Sequence, residues 1–172
     1  MIEAIVAVYS DWGIGAHGSQ PVALSADRKF FRQATTGAWV IVGRKTLADF
    51  PGGRPLPKRV NLVLTRSNTE IPGALVVHSP EEALEKARDA ERVLVIGGAS
   101  VYRQMLPYCE RVYVTKVGVC PQSDVFFPNL DESPDWVCTD PGQASMEGDI
   151  PYRFCTYERV NRETGEIVHE GI

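Results

Sequence analysis

Asp27 is the residue best placed to do chemistry. It stands in Ser25-Ala26-Asp27-Arg28-Lys29-Phe30-Phe31. Asp27, Phe30, Phe31 and Ala34 fall at i, i+3, i+4 and i+7, one face of a helix that opens here. A carboxylate in a first helical turn ordinarily just satisfies the helix terminus and its dipole. Ser25, however, can cap the same helix, and the aromatic face turns Asp27 toward partly apolar space, where an anion needs a partner. A ligand edge offering two N–H donors, as an amidine does, would match its two oxygens. Two further segments, Val42-Gly43-Arg44-Lys45-Thr46 and Ile96-Gly97-Gly98-Ala99-Ser100, pair glycine with a helix start after an apolar run. Each offers backbone N–H groups and a positive dipole end to phosphate, although glycine after a strand also serves as a plain turn. Neither is a G-x-G-x-x-G fingerprint, so an ordinary Rossmann assignment fails. Two such segments in one small α/β unit point to a dinucleotide. Arg44, Lys45 and Arg66 add positive charge near predicted strand ends, solvated surface cations being the other reading of them.

The elements that must position these residues are short β-branched runs: Ile5–Tyr9, Trp39–Val42, Val60–Thr65, Ala74–Val77, Arg92–Ile96 and Arg111–Val117. Their nearly continuous Val and Ile content suits strands covered on both faces. Helices fit between them, opening at Ser25, Gly43, Ser79 and Gly97; Ser79-Pro80-Glu81-Glu82 has a cap, a first-turn proline and a capping-box glutamate, and Pro107 ends the fourth. Asp135–Asp140 and Arg153–Arg159 read as late strands with no helix between them. The expectation is a single-domain α/β sandwich with a central, mostly parallel sheet, helices on both faces and an antiparallel C-terminal edge. The domain covers residues 1–160, and 161–172 form a polar tail or small hairpin.

At 172 residues the chain suits one hydrophobic core. Its net charge of −4, from 18 basic and 22 acidic residues, speaks against a nucleic-acid partner. Cys109, Cys120, Cys138 and Cys155 are scattered without a Cys-x-x-Cys pair, which argues against a zinc site and a disulfide scaffold. The N-terminal apolar run carries Glu3 and has no basic leader, and no apolar segment matches a bilayer. The expected protein is cytoplasmic, monomeric and free of metal.

Ile14-Gly15, Pro21, Leu24-Ser25-Ala26-Asp27, Phe30-Phe31, Val42 to Thr46, Arg54-Pro55-Leu56-Pro57, Arg59-Val60-Asn61, Val95-Ile96-Gly97-Gly98 and Val101-Tyr102 resemble, in order and spacing, the dihydrofolate reductase family. Tyr113-Val114-Thr115 and Asp124-Val125-Phe126-Phe127-Pro128 continue the resemblance, which covers residues 1–159.

The resemblance implies reduction of 7,8-dihydrofolate with hydride from NADPH. Asp27 would bind the pterin's 2-amino group and neighbouring ring nitrogen, supported by Thr115 directly or through water. Ile5, Phe31, Leu56 and Ile96 would wall the pterin, with Tyr102 near its contact with the nicotinamide. Arg59, joined by Arg54, would meet the glutamate tail. Gly43, Arg44, Lys45, Thr46, Thr65, Arg66 and His78 would hold the adenosine-side phosphates. Gly97, Gly98, Ala99, Ser100, Val101 and Gln104 would hold the pyrophosphate, across a cis Gly97–Gly98 peptide. Ala7, Ile14, Gly15 and Ser19 would border the nicotinamide. Residues 10–24 would form a lid, and Asp124 would hold its closed form through a backbone hydrogen bond. No second carboxylate or histidine matches a pocket position, so Asp27 would act by electrostatics and orientation while water delivers the proton.

Three positions depart from the family pattern: Val22 where tryptophan is common, Gln20 where relatives are apolar, and Arg28 where an uncharged residue usually follows the acid. Arg28 either reaches along the pocket mouth or is solvated with Lys29 and Arg32. Two other functions remain in view. A reductase of a tail-less pterin or pyrimidine would not need Arg59, and a nucleotide-binding regulatory module would not need Asp27 and Thr115.

Overall fold

The computed structural model describes residues 1–16 and 20–168. Among the described residues, seven strands and four α-helices fill the first two thirds of the chain: β1 (Ile2–Val8), β2 (Gly13–Gly15), α1 (Ser25–Thr35), β3 (Trp39–Gly43), α2 (Arg44–Ala48), β4 (Val60–Leu64), β5 (Ala74–Val77), α3 (Pro80–Lys86), β6 (Val93–Gly97), α4 (Ala99–Met105) and β7 (Arg111–Val117). β8 (Val125–Phe126), β9 (Trp136–Asp140), β10 (Ser145–Glu147) and β11 (Ile150–Arg159) follow without an intervening α-helix.

The main sheet runs β5-β4-β3-β6-β1-β7-β11-β10, with β9 also on β11. The pairs from β5 to β7 are parallel, and β11 adds antiparallel to β7. The mixed sheet with an antiparallel C-terminal edge is therefore as expected. Alternation along the strands divides the core in two. Val40, Val42, Leu94 and Ile96 meet Phe30, Phe31 and Ala34 of α1 and Leu47 of α2. Ile41, Val93 and Val95 meet Ala83 of α3 and Val101, Tyr102 and Met105 of α4. Helices thus cover both faces.

β1 begins at Ile2, earlier than expected, because Glu3 is buried in the ladder; its carboxylate accepts from Tyr113 at 2.7 Å and from Arg111 at 3.2 Å. α3 starts as expected, Ser79 accepting from the Glu82 N–H at 3.1 Å, while the Glu82 carboxylate accepts from the His78 N–H at 2.9 Å. α1 does not. Its N-cap is Leu24, which makes no side-chain cap, and the Glu147 carboxylate accepts from the Ser25 and Ala26 N–H groups, both at 2.9 Å. Near the C-terminus Val160 and Ile167 pair in an antiparallel bridge around a turn. All four cysteines are free thiols. No described helix is long and apolar enough to cross a membrane.

Candidate active site

A cleft of about 820 Å³ opens where β1, β3 and β6 end, between α1 on one side and the two glycine turns on the other. Sheets of this kind bind ligands at the carboxyl ends of their strands. Ile5, Asp27, Phe31, Ile96 and Tyr102 line the end with the carboxylate, and Ala7, Ile14, Gly15, Lys45, Thr46, Gly97, Gly98 and Ala99 line the other.

Asp27 is held from behind. Thr115, itself buried on β7, donates its hydroxyl to one Asp27 oxygen at 2.7 Å. Burial raises the Asp27 carboxyl above its ordinary range, and the Thr115 hydrogen bond opposes part of that rise. Ala7 and Thr115 are register partners, so the strand that floors the cleft and the one that orients the acid are locked side by side. The Tyr102 hydroxyl donates to the Ile5 carbonyl at 2.6 Å, and burial moves its pKa far up, with the Asp27 charge adding to this. Tyr102 therefore serves as a fixed neutral wall.

The region around Arg59 and Leu56 depends on two buried polar residues, Thr35 and Asn61, that sequence reasoning did not single out. Thr35 donates to the Phe31 carbonyl at 2.7 Å and accepts from Arg59 Nε at 3.0 Å; Arg59 also donates to the Pro57 carbonyl at 2.9 Å. Asn61 clamps the Leu56 backbone, accepting from its N–H at 3.1 Å and donating to its carbonyl at 3.0 Å. Leu56, like Phe31 and Phe50, packs against the core cluster of Ile5, Val40 and Ile96, while the Arg59 guanidinium is fixed by Thr35 and Pro57. Burial, then the nearby charge of Arg32, lower the Arg59 pKa from its ordinary value. Arg54 is exposed and outside the cleft lining. A signal for Thr35 did exist: it is a polar residue four positions after Phe31, on the helix's inward face.

The dinucleotide end is built from strand termini. Val42 of β3 and Gly97 of β6 are register partners, so the two glycine turns are adjacent. A Cβ on Gly98 would lie 2.9 Å from Thr46 Oγ1, and one on Gly43 would lie 3.1 Å from a Val101 methyl. Side chains there would fill a cradle that backbone now lines, which fits a pyrophosphate. The peptide between Gly97 and Gly98 is cis. Arg44 follows β3, and Thr65 and Arg66 follow β4, whose Leu64 pairs with Gly43. His78 follows β5, and its Nδ1 lies 2.9 Å from the Thr65 carbonyl oxygen. These residues form a row of strand ends beyond the cleft, and Arg44, Arg66 and His78 are exposed along it. Ser100 and Gln104 bond to each other at 3.1 Å on the outer face of α4.

The Asp124 N–H donates to the Gly15 carbonyl at 2.9 Å, beside the small β2–β8 pairing. The Ser19 expectation lies outside the described residues. Arg28 lines the cleft beside Asp27, as do Gln20, Ala23 and Val125. So does Asp49, an exposed residue at the end of α2. This corrects the expectation of one carboxylate. Asp49 follows the last turn of α2, and only the packing of α2 beside the cleft brings it to the wall. No group of three or more potential metal ligands occurs among the described residues.

A glycine-lined cradle suited to phosphate and an oriented carboxylate share one cleft, an arrangement suited to a dinucleotide beside a ligand that offers N–H donors. Comparison with known proteins agrees. A family model described as dihydrofolate reductase matches residues 1–159. Dihydrofolate reductase of Bacillus subtilis is 36% identical over 164 residues, covering 94% of this chain and 96% of that protein. The Haemophilus influenzae enzyme is 41% identical over 127 residues, covering 74% and 78%. A solved structure of dihydrofolate reductase from Enterococcus faecalis, complexed with NADP(H) and RAB-propyl, matches with TM-score 0.83 and 33% identity, covering 94% of this chain and 97% of that one. The chain belongs to the dihydrofolate reductase family of oxidoreductases.

Proposed function

We propose that this enzyme reduces 7,8-dihydrofolate to 5,6,7,8-tetrahydrofolate with NADPH, supplying one-carbon metabolism as a cytoplasmic monomer. The observation that carries this reading is Asp27, half-buried among Ile5, Phe31 and Ile96, with one oxygen bonded to Thr115. A carboxylate so oriented has lone pairs left for the 2-amino group and ring N–H of a pterin. Arg59, held by Thr35 and Pro57, favours a substrate with a glutamate tail over a tail-less pterin.

When bound, NADPH supplies the hydride for C6 of the pterin. Gly97, Gly98 and Ala99 hold the pyrophosphate with backbone N–H groups, and Arg44, Thr65, Arg66 and His78 take the adenosine-side phosphate. Ile5, Phe31 and Ile96 fix the pterin's plane, and Asp27 fixes its rotation. Asp27 also stabilises positive charge that develops as N5 takes its proton from water. Ile14, Gly15, Gln20 and Ala23 line the cleft, and the described segments that carry them close over the reacting atoms and exclude bulk solvent. NADPH oxidation assayed with dihydrofolate and with a tail-less dihydropterin tests the reading. Dihydrofolate is expected to turn over far better, and equal rates would overturn the assignment of Arg59.

Reduced sensitivity to diaminopyrimidine antifolates is a finer part of the proposal. It rests on Arg28 lining the cleft beside Asp27. Such an inhibitor binds the acid as a cation and carries no carboxylate for Arg28.

A further inference from the structure

Glu147 lies 122 residues after Ser25, yet its carboxylate accepts from the first two backbone N–H groups of α1, each at 2.9 Å. Those groups have no local acceptor, because the residue before the helix is Leu24, apolar and buried. The two backbone donors, and after them the Arg28 charge, hold the Glu147 carboxyl below its ordinary range. It is therefore an anion under any neutral assay.

The position of Glu147 is itself fixed. It ends β10 and pairs with Ile150 across the two-residue turn Gly148-Asp149. Gly148 has φ +60, as the first central position of a tight hairpin requires. β11, the other arm, pairs with β7 so that Phe154 lies opposite Thr115. The same arm packs Phe154 on Phe30 of α1, ring centroids 4.9 Å apart. One continuous piece of antiparallel sheet thus grips α1 at three points: Phe154 packs on Phe30, Thr115 holds the Asp27 side chain, and Glu147 holds the backbone one and two residues before Asp27.

We propose that Glu147 is a positioning residue for the pterin site, setting the first turn of α1 so that Asp27 meets its ligand in register. The inference rests on the reading of Asp27 as the pterin's partner. Loss of Glu147 leaves two helix donors without their acceptor, and the turn that carries Asp27 loosens. The glycine turns and strand ends of the dinucleotide side lie on other elements and are unaffected.

The test compares dissociation constants for folate and for NADPH in the full chain. Glu147→Ala is expected to weaken folate about tenfold, the scale of losing charge-assisted hydrogen bonds, and to leave NADPH within twofold. Ser25→Pro removes one of the two N–H donors by a different route. Proline is well tolerated at a first helical position, and Leu24, at φ −101 and ψ 137, already has the extended backbone that a following proline demands. This variant is expected to keep its thermal stability and still weaken folate several-fold. Asp27→Asn serves as the reference. If it weakens folate while Glu147→Ala and Ser25→Pro do not, the Glu147 proposal is overturned and the Asp27 reading stands. If Asp27→Asn leaves folate affinity intact, the reading itself fails and takes the proposal with it. Equal losses for folate and NADPH would mean general loosening and would also overturn it.

Discussion

At the proposed pterin end, Asp27 is half-buried against apolar walls and tied to a buried hydroxyl; at the proposed dinucleotide end, Arg44 and Lys45 stand exposed where α2 starts, and Arg66 and His78 just past the ends of β4 and β5. The first arrangement suits binding by shape and by an anion with raised proton affinity. The second suits binding by backbone N–H groups close to the sheet and by solvated cations beyond it. Water screens the second set far more than the first. One substitution at the pterin end should therefore have a large effect, whereas cofactor affinity is spread over several groups.

Asp27→Asn carries the largest expected change. Dihydrofolate turnover should fall by about two orders of magnitude or more, while the NADPH dissociation constant stays put. A similar loss in NADPH binding would erase the distinction between the two ends. At the other end, alanine at both Arg44 and Arg66 should weaken NADPH by about tenfold or more, the scale of charged hydrogen bonds. NADH, which lacks the additional phosphate, should be nearly unaffected. Parallel losses for the two cofactors would count against this placement of the phosphate.

The raised Asp27 pKa also predicts a cost in the ligand-free protein. A carboxyl whose folded-state pKa lies above its unfolded one destabilises the fold once pH rises through that raised value. Asp27→Asn should accordingly raise the melting temperature at neutral pH. The difference should vanish as pH falls below the ordinary carboxylate range. Melting curves across that interval check the sign, and a variant less stable at neutral pH would contradict it.

Arg28→Leu has the smallest expected effect. Arg28 is exposed on the cleft rim, and the Glu147 anion shares its field. A tail-less diaminopyrimidine should bind a few-fold to about tenfold more tightly in the variant, and dihydrofolate correspondingly less well. Inhibition constants for tailed and tail-less compounds that move together would make Arg28 surface charge alone.

The sequence by itself determined the parallel strands, the α3 start and the glycine turns, because each depends on neighbours within one element. Val and Ile runs mark buried strands, and Ser79, Pro80 and Glu82 act within one helical turn. It also carried Asp27 with its aromatic face and, through resemblance, the family. Only the tertiary structure decided what closes each local group. β2, β8 and β10 were not legible: they span two or three residues, and Val125, Phe126 and Met146 are exposed. Ser25 has the composition of a cap, yet it stands inside the helix, and its N–H finds Glu147 from the far end of the chain. Thr35 and Asn61 read as ordinary polar residues until Arg59 and Leu56 come to rest on them. Asp49 reaches the cleft wall because of where α2 packs. A polar group's partner is set by distance in space, and for these residues the partner lies on another element or after the turn of a loop.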